Sequence, residues 1–239
     1  MKLVRLIIPV LALTGLIFSC APSRFVKPLE KGEHAVQASL GGPVVNVPGV
    51  AQMPIPFTSV MYGHGITDNT TVFGGIHTTA AMFGVIQTEI GATRSLLSDT
   101  LDYGVSVSPG VTVATDIWEN NWKVWPHIDA NFYWKYGKKF NKQVDNLNVE
   151  DNVESNYFYV GVSNWFELSA ERAHGEPQPH RWIWNPHIGH TFVRDRWLYS
   201  MEFKVLAPTA DNERVVTDYA RLTGSSGGMG IYIGVSYKF

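Results

Sequence analysis

Polar side chains that could do chemistry recur at every second position in two segments of this sequence. His127, Asp129 and Asn131 follow one another in this way, and so do Glu202 and Lys204. Alternate residues of an extended strand point to the same face, so each group would lie on one side of a sheet. Imidazole, carboxylate and amine groups placed together could transfer protons, bind a cation or pair with one another as buried charges.

A four-residue pattern repeats around two of the histidines. It reads Trp-Pro-His-Ile with His127 and Asn-Pro-His-Ile with His187. Proline has no N–H to give to the ladder of a sheet, so each copy predicts a bulge or bend. If the two histidines faced each other they could bind a metal, but no third ligand has a suitable spacing. We therefore predict a repeated structural bulge, no metal site and no cofactor.

Two further groups of residues are candidates for chemistry. His174, His180, His187 and His190 lie close together in the sequence. A hydrolase would need a nucleophile and an acid at a spacing that suits one of them, and we find none. The acidic residues of segment 145–154 lack the regular spacing and the Gly of a calcium loop. The sequence therefore identifies no catalytic residue and does not favour an enzyme, although it leaves one open as an alternative.

The elements that must position these side chains are segments in which apolar and polar residues alternate. Segment 122–136 is the clearest case, with Trp122 at one end of its apolar face and Trp134 and Tyr136 at the other. Soluble strands rarely run this long with aromatic residues at both ends of the apolar face. Such residues are typical of strands that cross a bilayer, where they lie at the two interfaces.

Nine further segments share this alternation. They are 34–41, 56–66, 70–80, 84–94, 103–115, 155–166, 180–192, 196–207 and 229–239. Lipid offers the backbone no hydrogen bonds, so membrane strands must close into a ring. We therefore predict an all-β fold over residues 34–239. It is a closed antiparallel transmembrane up-and-down β-barrel of about ten strands, with eight or twelve as alternatives.

The interior of this barrel would hold a cluster of polar side chains. Its predicted members are His127, Asp129, Asn131, His187, Glu202 and Lys204, with His77, Gln87 and Glu89 as further candidates. Eight-stranded barrels are filled by side chains, whereas open channels appear at roughly sixteen strands. At about ten strands we expect a satisfied polar plug, with its charges paired because unpaired buried charges are costly.

The N-terminus has the pattern of an export signal. Residues 1–19 carry two basic residues and an apolar run that is too short to span a bilayer. The single cysteine, Cys20, follows Ile17-Phe18-Ser19, which resembles the lipobox of bacterial lipoproteins. The resemblance implies that the thiol is acylated, with palmitate among the attached chains, and that Cys20 becomes the mature N-terminus. Residues 20–33 would then form a lipidated periplasmic tether.

The last predicted strand ends flush with the sequence. Tyr237 and Phe239 close a run of apolar residues at alternate positions, which resembles the signal by which outer-membrane barrels are recognised for insertion. The mature chain as a whole resembles the small outer-membrane β-barrels of Gram-negative bacteria. The resemblance implies contact with outer-membrane lipids, insertion by the barrel-insertion machinery, and N- and C-termini in the periplasm.

Composition and loop lengths bear on the function. Charged residues make up 17% of the chain and the formal net charge is -2, so nothing favours nucleic-acid binding. The predicted outer loops are 42–55, 81–83, 116–121, 167–179 and 208–228. We predict a structural or accessory role in a larger outer-membrane assembly, with a protein partner at loop 208–228 and at the long connection 138–153 on the opposite side. A small pore or ligand carrier and a lipid-modifying enzyme are the alternatives.

Overall fold

The chain folds into one sheet that closes on itself. This computed structural model describes residues 22–47, 49, 51–97, 102–118, 121–137, 155–171, 177–211, 218–222 and 224–239. The strands are β1 (His34–Val47), β2 (Ala51–Pro54), β3 (Thr58–Thr67), β4 (Thr70–Ile76), β5 (Val85–Ser95), β6 (Tyr103–Asp116), β7 (Trp122–Tyr136), β8 (Asn156–Phe166), β9 (Trp182–Arg194), β10 (Trp197–Asp211) and β11 (Ser226–Lys238). A short helix, α1 (Thr78–Met82), lies between β4 and β5.

Ten of the described strands form the wall of a closed barrel. From β3 to β11 each strand pairs antiparallel with the next, and β1 completes the ring by pairing with both β3 and β11. The remaining strand, β2, lies outside the ring because it pairs with the far end of β1 as a hairpin. This architecture confirms the predicted closed antiparallel barrel of ten strands.

Most strand boundaries fall close to the predicted ones, and three differ: the ends of β1, β4 and β10, of which β10 continues to Asp211 beyond the predicted end at residue 207. The observed β7 coincides with the predicted segment 122–136. In contrast, β1 runs beyond the predicted end at residue 41, because it continues past the rim of the barrel into the hairpin with β2. The second half of predicted segment 70–80 was wrong: β4 ends at Ile76, and the Ala81 N–H donates to the His77 carbonyl in a helical turn. None of the helices in the described ranges has the length and apolar character of a membrane span.

The two rims of the barrel carry different structures. One rim, called the terminal rim below, holds the start of β1 at His34 and the C-terminal Phe239, together with the tight turns after β3 and β9. His34 and Phe239 exchange backbone hydrogen bonds of 2.9 and 3.1 Å there. The opposite rim, called the loop rim, carries the β1–β2 hairpin and α1. The first residue of β1 and the C-terminal residue of the chain therefore lie side by side at the terminal rim.

The wall turns its apolar residues outward and its polar residues inward. In β7, Ile128 and Phe132 are exposed, whereas Asp129 and Asn131 are buried. This arrangement is the reverse of a soluble protein, in which charged side chains are mostly on the surface. Exposed aromatic residues collect near both rims of the outer surface. They include Trp118, Trp122, Phe166 and Trp182 near the loop rim, and Tyr103, Trp134, Tyr136 and Trp197 near the terminal rim.

Residues 22–31, called the strap below, are not part of the wall: residues 22–29 lie inside the barrel, and Glu30 and Lys31 are exposed at the terminal rim. The strap enters at the terminal rim, where the Gly32 N–H donates to the Gly65 carbonyl at 2.8 Å. Higher in the lumen, the Leu29 N–H donates to Thr71 Oγ1 at 2.7 Å, and Ser106 Oγ donates to the Val26 carbonyl at the same distance. Residues 22–26 are all buried. The lumen is therefore occupied by a segment that the sequence analysis assigned to the tether 20–33.

Candidate lumen site

Glu89 on β5 is the centre of the first polar cluster in the lumen. Its Oε2 lies 3.2 Å from Nη2 of Arg24 on the strap and 3.3 Å from Nε2 of His77. On the other side, His127 Nε2 lies 3.9 Å from Glu89 Oε1, and the His127 ring stacks on Trp165 with a centroid separation of 4.6 Å. The side chains of Arg24 and Glu89 are each 3% exposed, so their charges balance each other away from bulk water.

Glu202 on β10 is the centre of the second cluster. Its carboxylate accepts a hydrogen bond from the Tyr159 hydroxyl at 2.9 Å and lies 3.2 Å from Lys204 Nζ. Lys204 in turn donates to Ser163 Oγ at 3.1 Å. The acid and the amine share the inner face because they are two residues apart in one strand. Both are almost fully buried, so protein groups replace the water that would otherwise stabilise the two charges.

Two adjacent residues of the strap join these clusters. The Ser23 backbone N–H faces both carboxylate oxygens of Glu202, at 3.2 and 3.1 Å, and the Ser23 hydroxyl lies 3.1 Å from His187 Nε2. That imidazole nitrogen also lies 2.7 Å from Asn131 Oδ1. The next residue, Arg24, pairs with Glu89. The strap therefore gives one partner to each of the two buried acids, which stand on different parts of the wall.

The apolar side chains of the strap pack against the inner wall. Val26 packs in a group of wall residues. These are Tyr133, Tyr157, Tyr159 and Val193. Phe25 belongs to a separate apolar cluster, in which its ring lies 6.1 Å from that of Phe73. The lumen around the strap is thus filled by rings and aliphatic groups as well as by ion pairs.

Two glycines of β3 leave the strap the space it occupies. A Cβ on Gly63 would lie 2.6 Å from the ring of Phe25, and a Cβ on Gly65 would lie 1.9 Å from the carbonyl oxygen of Glu30. Both separations are far shorter than van der Waals contact. Any other residue at these positions would therefore collide with the strap, and the alternation of glycine on this face fits the wall to it.

The structure places the predicted polar residues on the inner wall but divides them between two clusters. His127, Asp129, Asn131, His187, Glu202 and Lys204 are all buried, as are Gln87 and Glu89. His127 belongs to the Glu89 cluster, whereas His187 and Lys204 belong to the Glu202 cluster. Asp129 is buried with its Oδ1 unpaired within the described part of the chain. The expected pairing of charges is thus observed at Glu89 and Glu202.

The repeated Pro-His pattern does not form the predicted bulges. The register of β6 with β7 is continuous through Pro126, and that of β8 with β9 is continuous through Pro186. Each residue of an antiparallel ladder directs its N–H toward one neighbour, so a proline removes one bond without shifting the register. His127 and His187 lie in different clusters, and no three His, Cys, Asp or Glu side chains of the described ranges are grouped to hold a metal ion.

His190 lies on the outer surface near the terminal rim. Its ring contacts those of Phe158 and Phe192, at centroid separations of 4.3 and 4.0 Å, and its Nε2 contacts the Tyr136 hydroxyl. His190 is therefore part of an aromatic girdle, the band of exposed aromatic residues near each rim. His180 lies near the loop rim, where its carbonyl accepts a hydrogen bond from Gln178.

Several other residues singled out in the sequence lie at the terminal rim or outside the described residues. Tyr237 packs on Trp197, and Phe239 stacks on His34 at 5.7 Å; their role as an insertion signal stays a prediction. The remaining positions lie outside the described residues. They are Cys20, His174, and the segments 138–153 and 145–154.

The contribution of the strap to this site does not follow from the sequence. The contact between Ser23 and Glu202 joins positions 179 residues apart, and that between Arg24 and Glu89 joins positions 65 apart. No local pattern encodes such pairs. One signal was available: Phe25 stands in the segment assigned to the tether, although a free tether gives an aromatic ring nothing to pack against.

The chemistry open to this arrangement is ionic binding. Within the described lumen, Glu89 is occupied by Arg24 and His77, and Glu202 by Lys204 and the Ser23 N–H. Partners at these distances stabilise the charged form of each carboxylate. The two clusters therefore fasten the strap to the wall.

Comparison with protein-family models gave no match, and comparison with curated proteins gave none either. Among solved structures, the outer membrane protein OprG from Pseudomonas aeruginosa is similar over 90% of this chain and 99% of its own, with 10% identity and a TM-score of 0.29. Ail, the attachment invasion locus protein of Yersinia pestis, is similar over 87% of this chain and 99% of its own, with 9% identity and a TM-score of 0.28. The fold assignment itself rests on the closed ring of strands.

Proposed function

We propose that this chain is a lipid-anchored outer-membrane β-barrel with a closed lumen and a structural or accessory role in a larger outer-membrane assembly. The observation that carries the proposal is the filled lumen. The strap and the clusters of Glu89 and Glu202 occupy the space that a pore would leave to solute. A barrel filled in this way offers its rims and loops to partners, and we infer that contact through them is its role.

The outer surface supports a position in the membrane. Ile90, Ile188, Met201 and Ile233 are exposed between the two aromatic girdles. Exposure of apolar area to water is unfavourable by about 25 cal/mol per Å², whereas the hydrocarbon of a bilayer accepts it. The closed ladder also leaves the wall without an unpaired edge, as lipid requires. The apolar belt and the closed ring together favour insertion over a soluble state.

The predicted acylation of Cys20 supports the same location. An inserted barrel is already anchored by its strands, so acyl chains add little to its membrane affinity. We infer that the lipid serves export and the orientation of the N-terminus. The membrane affinity then comes mainly from the inserted strands of the wall.

The observed contacts give less support to the two alternative functions, a lipid-modifying enzyme and a small pore or ligand carrier. A lipid-modifying enzyme would need a nucleophile near His190, and the described contacts of His190 are with Tyr136, Phe158 and Phe192. A pore or ligand carrier would need a continuous open path through the lumen, and the strap leaves only a narrow gap beside the wall. The accessory role is therefore the one that fits both the inner and the outer face of the wall.

Mild detergent extraction of the tagged native protein, followed by native mass spectrometry, tests this proposal. We expect a chain that carries acyl mass and retains a protein partner in fixed stoichiometry. In planar bilayers the purified wild-type chain should give no steady conductance. A lone monomer would contradict the assembly role, a chain without acyl mass would remove the lipid anchor, and steady conductance would contradict the closed lumen.

A further inference from the structure

We propose that the strap is a displaceable plug and that the barrel without it conducts small cations past Glu89 and Glu202. This inference rests on the proposed function, because conduction requires a barrel that spans a membrane. The proposed function does not say how the lumen could open. Here its closure is assigned to one segment, residues 22–31, and the open barrel is assigned cation conduction.

The wall closes without the strap. All ten wall strands pair with both of their neighbours, and the strap contributes no strand to the ring. Above Gly65, the described hydrogen bonds of the strap run to wall side chains such as Thr71, Thr93 and Ser106. Water that enters the lumen can take over these bonds with the hydroxyl groups. Departure of the strap therefore breaks no ladder bond of the barrel.

The wall is nevertheless shaped to hold this strap. Gly63 and Gly65 face Phe25 and the carbonyl of Glu30 at distances that leave no room for a Cβ. Arg24 and Ser23 then complete the two acidic clusters. This fit makes the strap the native occupant of the lumen. It also means that a single methyl group at position 65 acts as a wedge against it.

Departure of the strap would leave a passage of molecular width. A packed peptide strand takes up a cross-section of about 4.7 by 10 Å, which is enough for water and a small cation in file. A narrow gap already lies between the strap and the wall formed by β8 to β11 and β1. Its lining includes hydroxyl and amide groups of Gln37, Thr191, Ser200 and Ser236, beside apolar groups such as Leu198. The polar groups give water a hydrogen-bonding path along that side of the wall.

The charges left on the wall favour cations. The buried acids of the described wall are Glu89, Asp129 and Glu202, and the buried bases are Lys204, Lys238 and the imidazoles of His127 and His187, which are uncharged in their neutral form. Arg24 leaves with the strap, and Lys238 lies at the terminal rim, 2.8 Å from Glu33. Mid-lumen, three acids then face one amine, Lys204, and two imidazoles, so the net charge is negative when the imidazoles are neutral. Acidic side chains that line a narrow passage concentrate cations and exclude anions.

Planar-bilayer recordings of the purified, folded protein test the plug. The wild-type chain should give no steady conductance, and the chain that lacks residues 22–31 should give steady conductance. Under a KCl gradient, the reversal potential of the deletion variant should report a preference for K⁺ over Cl⁻. Glu89→Gln and Glu202→Gln in the deletion background should reduce this preference.

A single substitution provides a second test in the otherwise unchanged chain. Gly65→Ala places a methyl group on the Glu30 carbonyl and should open the lumen by displacing the strap. Gly74→Ala is the matched control on the neighbouring strand. A Cβ at Gly74 would meet only ordinary contact, with the Glu89 carbonyl oxygen at 3.4 Å. The control should stay as silent as the wild type.

Each outcome of these tests decides the inference. Heat-modifiable gel migration reports whether a variant has formed a barrel, independently of conductance. A folded and inserted deletion variant that stays silent would overturn the plug and leave the proposed membrane barrel standing. A deletion variant that cannot fold would also overturn it, because a displaceable plug requires a wall that closes alone. Failure of the wild type to insert into vesicles would instead remove the proposed membrane position, and the plug with it.

Discussion

Glu202 joins three parts of the molecule through one carboxylate. It pairs with Lys204, accepts a hydrogen bond from Tyr159, and faces the backbone N–H of Ser23. Its replacement by alanine leaves Lys204 buried without a counter-charge, and the loss of one partner of a buried pair costs about 3–5 kcal/mol. We expect Glu202→Ala to lower the free energy of unfolding by this amount, as measured by urea titration in lipid vesicles with tryptophan fluorescence.

Two further variants separate the ion pair from its surroundings. Glu202→Leu combined with Lys204→Met removes both charges at similar volume, which is often close to neutral for a buried pair, so it should cost less than Glu202→Ala alone. Glu171→Ala, at an exposed position, should change the free energy of unfolding by less than about 0.5 kcal/mol. An equal loss in the double variant and in Glu202→Ala would show that the unpaired Lys204 is not the cause.

Individual residues of the lumen show which contacts could be predicted from the sequence and which could not. The inward orientation of Glu202 and Lys204 follows from a period of two, which any alternating strand reveals. The partner at Ser23 does not follow, because it comes from a segment 179 residues away that has no periodicity of its own. The division of His127 and His187 between two clusters was equally hidden. It depends on which wall residues stand opposite them in the closed ring.

At the scale of a strand, depth in the membrane should decide the cost of a charge on the outer face. Ile128 lies midway along β7, and Phe166 ends β8 at the loop rim. An arginine costs about 2–4 kcal/mol at the midplane of a bilayer and about 0–1 kcal/mol near its interfaces. We expect Ile128→Arg to destabilise the barrel by the larger amount and Phe166→Arg by the smaller, in the same urea titration. Equal costs at the two positions would argue against a barrel that spans the membrane between these rims.

Elements differ in how well the sequence predicted them. The bounds of β7 were predicted from alternation and aromatic ends, because both are properties of one strand. In contrast, α1 was missed because the ladder ends at Ile76, where the chain reaches the rim and a helical turn replaces the next strand residues. The strap was assigned to a tether because its segment is rich in polar residues and has two prolines. Its structure comes entirely from the lumen that surrounds it.

The closed barrel as a whole was the most predictable feature, because a membrane leaves the backbone few ways to satisfy its hydrogen bonds. For segments that alternate in this way and are placed in a membrane, lipid requires a closed ring of strands, and the structure has one. The content of the lumen and the identity of any partner carry no such constraint. They depend on contacts between distant segments and on surfaces outside the periodic strands.

The closed ring also predicts what the proposed acyl chains at Cys20 would contribute to the whole molecule. An inserted barrel is held by all ten of its wall strands, whereas covalent chains add a reversible, smaller affinity. We therefore expect Cys20→Ala to lose the acyl mass in intact mass spectrometry and still to stay in the outer-membrane fraction after an alkaline carbonate wash. The wild-type chain, carried through the same wash, is the control. Release of the variant into the soluble fraction would mean that the lipid, and not the wall, holds the protein in the membrane, and would contradict an anchoring role for the outer apolar belt.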